Sequence, residues 1–240
     1  MTGGRFWLAT LGAVIGVAIT LSLGFWQWGR AAQKIALQAA LDERKNLPAL
    51  DHRALLATEK IADLHHRPIV LRGRWEPRHT VFLDNRQMAG RPGFYVVTPL
   101  RLAGTDLAML VQRGWVPRDF VQRDRLPAID TPAGEVEVRG RIAPPPAKLY
   151  ELGEAAPGPI RQNLDLAAFR AETGLALVEG SVQETGAPSQ GLQREWPQVA
   201  TGVDKHYGYA FQWWALSALI TLLYAWFQFI APRRRQARAP

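Results

Sequence analysis

The 240-residue chain contains no cysteine. That excludes disulfides, thiolate zinc sites, iron–sulfur clusters and covalent haem attachment through Cys-x-x-Cys-His. Three methionines, one of them Met1, leave little material for a thioether copper site. No Gly-x-Ser-x-Gly elbow and no His-Glu-x-x-His pattern occurs, which argues against a membrane-anchored hydrolase or zinc protease. Charge is missing from two long stretches, Phe6 to Gly29 (24 residues) and Tyr207 to Ala231 (25 residues).

Each uncharged stretch exceeds the roughly 20 apolar residues that cross a ~30 Å hydrocarbon core. The first is longer than the apolar part of a secretory signal and has no small-x-small cleavage site after it, so it reads as an uncleaved anchor. The sequence thus divides into residues 1–5, a span at 6–29, a polar domain at 30–205, a span at 206–231 and a basic tail at 232–240. Gly12, Gly16, Thr20 and Gly24 recur every fourth residue, and Ser217, Thr221 and Ala225 do the same in the second span. Small ridges of this kind let helix backbones approach, so the two spans are expected to pack together there, although glycine is also simply common in membrane helices. Arg233, Arg234, Arg235 and Arg238 follow the second span and place both termini in the cytoplasm, with the central domain outside. Arg30 and Lys34, after the first span, point the other way, but so long a central segment is not governed by the charge rule.

The net charge is +8. Setting aside the four tail arginines and Arg5 leaves only +3 on the central domain, with no basic helix interleaved by stacking aromatics, so nucleic acid is not the expected partner. The absence of cysteine is compatible with a periplasmic domain. Within it, Arg30–Leu47 continues the first span as a helix until Pro48, and Asp51 caps a short helix through Lys60. Strands are expected at Arg67–Trp75, Thr80–Asp84, Phe94–Leu102, Leu107–Val116, Glu135–Ala143, Leu177–Glu184 and Val199–Val203. Asp165–Glu172 is a capped helix stopped by Gly174. The fold class is therefore an α+β membrane protein: two terminal transmembrane helices flank one extracytoplasmic domain with a small antiparallel sheet or partly open barrel and short helices.

Four stretches occur in order: Trp26-Gln27-x-x-Arg30; Leu83-Asp84-Asn85-Arg86 followed by Gly90-Arg91-Pro92-Gly93-Phe94-Tyr95-Val96-Val97-Thr98-Pro99-Leu100; Leu110-Val111-Gln112-Arg113-Gly114-Trp115-Val116-Pro117; and Lys205-His206-Tyr207-Gly208-Tyr209-Ala210-Phe211-Gln212-Trp213. Together, between two terminal spans, they resemble the surfeit-locus-one family of cytochrome c oxidase assembly proteins. The resemblance implies a non-enzymatic assembly factor of the bacterial inner membrane that binds haem a as transient cargo. It implies the oxidase catalytic subunit as partner, haem a synthase as a further candidate partner, and His206 as the haem iron ligand. The alternative is a haem-independent chaperone that only stabilises an oxidase subunit. Residues 151–195 match no motif of the family.

On the residues alone, His206 stands where the second span begins, and helical spacing puts Tyr209, Ala210, Trp213 and Ser217 on its side. A neutral imidazole can ligate haem iron, and Tyr209, Trp213 and Trp26 can line a flat ring; equally, tryptophan and tyrosine belts mark ordinary membrane interfaces. Phe25, Trp26 and Trp28 are expected at the same level. Arg30 and Lys205 can pair with haem propionates, but long cations at helix ends more often snorkel. Arg86, Arg91 and Arg113 are expected to order turns rather than meet a partner, and Trp75 and Trp115 to lie in the core. His65-His66 reads as solvated, and His52 and His79 as structural.

Overall fold

The computed structural model describes residues 3–119, 121–122, 126–150, 158–197 and 202–236. The chain forms two compact units, one made of Met1–Ala40 with Val199–Pro240 and the other of Leu41–Gln198.

In the first unit, α1 (Gly3–Lys45) runs unbroken for 43 residues, about 65 Å at 1.5 Å per residue. After the apolar stretch it is carried by alanine, leucine, glutamine and lysine, all strong helix formers, and it ends on Arg44 and Lys45, which suit the negative end of the helix dipole. The chain returns through α4 (Val203–Ala225), one wide π turn at Trp226–Ile230, and α5 (Ala231–Gln236). Pro232 accounts for the wide turn. In a regular helix its ring would collide with the carbonyl of Gln228, four residues back.

The two helices run antiparallel. Thr10 Oγ1 meets the Tyr224 hydroxyl at 2.7 Å, the Phe6 and Phe229 rings are 6.5 Å apart, and Trp28 lies against Tyr207 with ring centroids 4.9 Å apart. One row of less exposed positions advances by alternating steps of four and three: Phe6, Thr10, Ala13, Val17, Thr20, Gly24, Gln27 and Ala31 on α1, and His206, Ala210, Trp213, Ser217, Ile220 and Tyr224 on α4, with Gly16, Leu23, Tyr207, Trp214 and Ala225 partly covered beside it. This is the 3.5-residue period of a left-handed helix pair. The expected four-residue ridge is therefore only partly the contact surface. Thr20, Gly24 and Ser217 are buried in it, while Thr221 is exposed and Gly12 faces open space. Outside the seam the helices expose Leu8, Leu11, Ile19, Leu216, Leu222 and Phe227. Both helices are long and apolar enough to cross a membrane.

The second unit is β-rich. Its strands are β1 (Leu50–Asp51), β2 (Pro68–Trp75), β3 (Val81–Met88), β4 (Arg91–Leu102), β5 (Leu107–Pro117), β6 (Glu135–Ala143), β7 (Ile160–Arg161), β8 (Ala176–Leu177) and β9 (Ser181–Glu184). Two helices accompany them, α2 (His52–Leu56) and α3 (Leu166–Thr173). Pairing follows β2-β6-β9-β5-β4, and β4 pairs again with β2, so five strands close a ring. The ring is mixed: β5–β9 is parallel, as are β1–β2, β3–β7 and β5–β8. A small antiparallel sheet or partly open barrel is thus replaced by a closed barrel of mixed pairing. Gly73 and Gly140 permit the closure, because a Cβ at either would strike the neighbouring strand's backbone.

Alternate residues of the ring strands (Ile69, Leu71, Leu100, Leu102, Met109, Val111, Val138, Ile142 and Val182) form one core, with Leu55 of α2 packed on it. Phe169 of α3 covers the other face of β3–β5 with Val81, Leu83, Ala108 and Leu110. Asp51 caps α2 through a 2.8 Å bond from the Ala54 amide, although the helix stops at Leu56 rather than Lys60. Asp165 caps α3, and Gly174 ends it in the left-handed region. The expected strand Leu177–Glu184 is broken at Val178–Gly180 into β8 and β9. Of the expected strand Val199–Val203, residues 199–201 lie outside the described residues and Val203 opens α4.

A branched side chain at Gly24 has to displace Trp214, whose indole occupies the space a Cβ would take, whereas Gly12 has no neighbour there. Gly24→Val is expected to destabilise the helix pair by about 1–3 kcal/mol and Gly12→Val to leave it unchanged. Unfolding in detergent, followed by tryptophan fluorescence, checks both; equal losses at the two positions would contradict the assigned seam.

Candidate functional site

The seam carries an unusual polar pair near the start of α4. His206 Nδ1 lies 2.7 Å from Gln27 Oε1 on α1, and both side chains are partly buried. An amide oxygen only accepts, so in the neutral imidazole this contact puts the proton on Nδ1 and the lone pair on Nε2. Among the described residues Nε2 has no hydrogen-bond partner. Aromatic rings pair across the same end of the seam: Trp28 meets Tyr207, and Trp214, which the sequence reading gave no role, sits 5.5 Å from Phe25 and 5.8 Å from Trp28. The Trp214 Nε1 is buried without a hydrogen-bond partner.

The predicted aromatic set is arranged less tightly. Tyr209 and Trp26 are both more than half exposed, and Trp213 is partly buried on the seam. Phe25 and Trp28 join the ring cluster as expected, but Trp26 instead lies under the Arg30 guanidinium, 5.9 Å away. Arg30 also donates to Gln33, and Lys205 is exposed.

No group of three or more histidine, cysteine, aspartate or glutamate side chains comes together among the described residues. A metal that brings most of its own ligands, as iron in a porphyrin does, needs no such cluster, and a lone imidazole can serve it. Exposed flat faces beside a single lone pair fit such a group at an open edge. Gln27 is the residue that sequence reasoning missed. Its signal was present in the Trp26-Gln27-x-x-Arg30 motif, but only the antiparallel register brings it to His206.

In the barrel unit, two of the motif arginines, Arg86 and Arg113, turn inward, while Arg91 is exposed. Arg113 is fully buried; it donates to the Thr131 hydroxyl (2.7 Å), the Asp130 carbonyl (2.7 Å) and Gln190 Oε1 (2.6 Å), and lies 4.6 Å from the Trp75 ring centroid. Arg86 donates to the Gln162 carbonyl, and Trp115 Nε1 donates to the Arg86 carbonyl. These arginines order loops against the barrel, as expected, and Trp75 and Trp115 are core residues. Arg91 lies beside Trp115, 6.0 Å from its ring. Arg194 pairs with the buried Glu184 at 2.8 Å, yet burial raises that carboxyl above its ordinary range despite Arg194 and Arg113. His52 opens α2 and His79 closes a short turn. His65 and His66 are not freely solvated, but half-buried near Arg44, Lys45 and Arg141.

An antiparallel pair of terminal apolar helices carrying the Gln27–His206 contact, with a β-rich domain built on a five-stranded barrel between them in sequence, defines the class of protein. Residues 14–218 match the family model described as SURF1 family, and the chain belongs to that family. It is similar to Surfeit locus protein 1 of Rattus norvegicus, 26% identical over 230 residues that cover 88% of this chain and 72% of the rat protein. It is also similar to a SURF1-like protein of Rickettsia bellii, 26% identical over 225 residues, 89% of this chain and 88% of that protein. Cytochrome oxidase assembly protein SHY1 of Saccharomyces cerevisiae is 26% identical over 106 residues, which cover 44% of this chain and 27% of the yeast protein.

Two outcomes follow for the barrel unit. Arg113→Ala strips three acceptors of their donor and leaves Glu184 with one cation fewer; a loss of about 3–5 kcal/mol in urea unfolding is expected, and Arg113→Lys is not expected to restore it, because an ammonium lacks the fork. A loss below 1 kcal/mol would contradict the role given to Arg113. His65 and His66 are both held below the ordinary histidine value, by burial first and then by neighbouring cations. The unfolded chain therefore takes up protons first as pH falls below about 6.5, and the unit loses stability as pH drops through that window. His66 has φ 72°, which asparagine tolerates. His66→Asn is expected to flatten the pH slope of the unfolding midpoint; an unchanged slope would rule His66 out as its source.

Proposed function

We propose that this protein is an assembly factor for haem–copper cytochrome oxidase that holds haem a at His206 and assists its insertion into the catalytic subunit. The observation that carries this reading is the Gln27–His206 bond, which leaves Nε2 as an uncommitted ligand on a partly buried ring. Membership of the SURF1 family and the similarity to the yeast cytochrome oxidase assembly protein support the assembly role. The chain is not an enzyme in this reading; haem a is cargo, haem a synthase its candidate source, and the catalytic subunit the recipient.

The two apolar helices span the bacterial inner membrane, with both termini cytoplasmic and the barrel unit periplasmic. Their exposed leucine, isoleucine and phenylalanine side chains, the arginines after the second helix and the rickettsial relatives support this placement. Haem a would bring an iron able to take a further nitrogen ligand, and His206 Nε2 would supply that lone pair. Trp26, Tyr209 and Trp213 offer apolar faces to the ring, and Arg30 and Lys205 offer cations to its carboxylates. One axial ligand at an open edge suits a site that has to release what it holds.

Purification from cells that make haem a, followed by absorption spectroscopy, tests this. Wild type is expected to carry haem and His206→Ala to lose it. Full haem content in the His206→Ala protein would remove His206 as ligand. Co-purification with the catalytic subunit from cells lacking haem synthesis, together with a haem-free wild type, would favour a haem-independent chaperone.

A further inference from the structure

We infer that Gln27 is a positioning residue for His206, which selects the imidazole tautomer that keeps Nε2 open. This rests on the reading of His206 as the cargo ligand and names what sets that ligand's state. A neutral imidazole left to itself favours the proton on Nε2, the nitrogen the site needs free. The Gln27 Oε1 acceptor, 2.7 Å from Nδ1, reverses that preference by bonding to Nδ1–H. The pair is built into the helix contact. Gly24 and Ala31, one turn to either side of Gln27, are buried, and so is Ala210, one turn beyond His206. Small residues at these seam positions leave room for the Gln27 amide to reach across to the ring.

The amide also fits the task better than the obvious alternative. A histidine that ligates a metal usually donates its second N–H to a carbonyl, a carboxylate or water, and a carboxylate raises the ligand's basicity most. A neutral amide orients the ring without that added push. The resulting iron–nitrogen bond is weaker, as release to a recipient requires.

The test uses the full-length protein in detergent with selectively labelled histidine nitrogens; the chain has five histidines, and comparison with His206→Ala assigns the signal. In the haem-free wild type, NMR is expected to show the His206 proton on Nδ1. Gln27→Leu is expected to shift it toward Nε2, and Gln27→Glu to retain it on Nδ1. In the haem-loaded protein, Gln27→Leu is expected to lower haem affinity about 10–100-fold, and Gln27→Glu to slow haem release and lower the iron's reduction potential. A wild-type proton on Nε2, or a tautomer unmoved by Gln27→Leu, would overturn the inference. The expected NMR pattern in a protein that binds no haem would uphold the tautomer assignment and sink the cargo reading.

Discussion

The polar features of the helix pair depend on the antiparallel register of α1 and α4. In an apolar medium, side chains gain nothing by leaving solvent for one another; packing and bonds between polar groups hold such helices together. Here Thr20, Gly24, Ala31, Ala210 and Ser217 are buried, and the space left by Gly24 is filled by the Trp214 indole. In that register Thr10 meets Tyr224 at one end and Gln27 meets His206 toward the other, each pair within hydrogen-bonding distance. A polar side chain in such a helix is costly unless it is paired. The seam supplies the pairs, and at His206 the pairing settles which nitrogen carries the proton.

The barrel unit solves a different problem. A five-stranded ring is small, and Gly73 and Gly140 relieve it where strands come closest. Its surroundings are then tied down by buried guanidinium groups rather than by apolar packing alone. Arg113 holds the segments around Thr131 and Gln190, and Arg86 holds the segment at Gln162. The motif segments that identify the family in this unit are thus largely structural, with Arg86 and Arg113 turned inward.

Much of the architecture was legible because it follows from local rules. The uncharged runs, the caps at Asp51 and Asp165, the stop at Gly174 and the alternation of Glu135–Ala143 all act over a few residues. Closure of the ring was not legible, since it depends on β4 pairing a second time with β2 and on parallel neighbours that no hairpin signal announces. The break at Val178–Gly180 was hidden by continuous β-type residues. At the helix pair, small residues at every fourth position drew attention to a four-residue ridge. The contact follows a 3.5-residue period instead, so Gly12 and Thr221 drift off it and Gln27 drifts onto it. His206 stood out from sequence because it is a lone imidazole at the end of an apolar run. Its partner did not, since 179 residues separate them.

The cysteine-free chain makes the central claim simple to test. With Trp28→Cys and Tyr207→Cys in one molecule, at positions whose rings meet across the seam, a short thiol-to-thiol crosslinker should join the two helices within the monomer, whereas Phe6→Cys with Tyr207→Cys, at opposite ends of the pair, should not. Failure of the first pair to cross-link, or cross-linking only between separate molecules, would contradict the antiparallel seam and with it the placing of Gln27 beside His206.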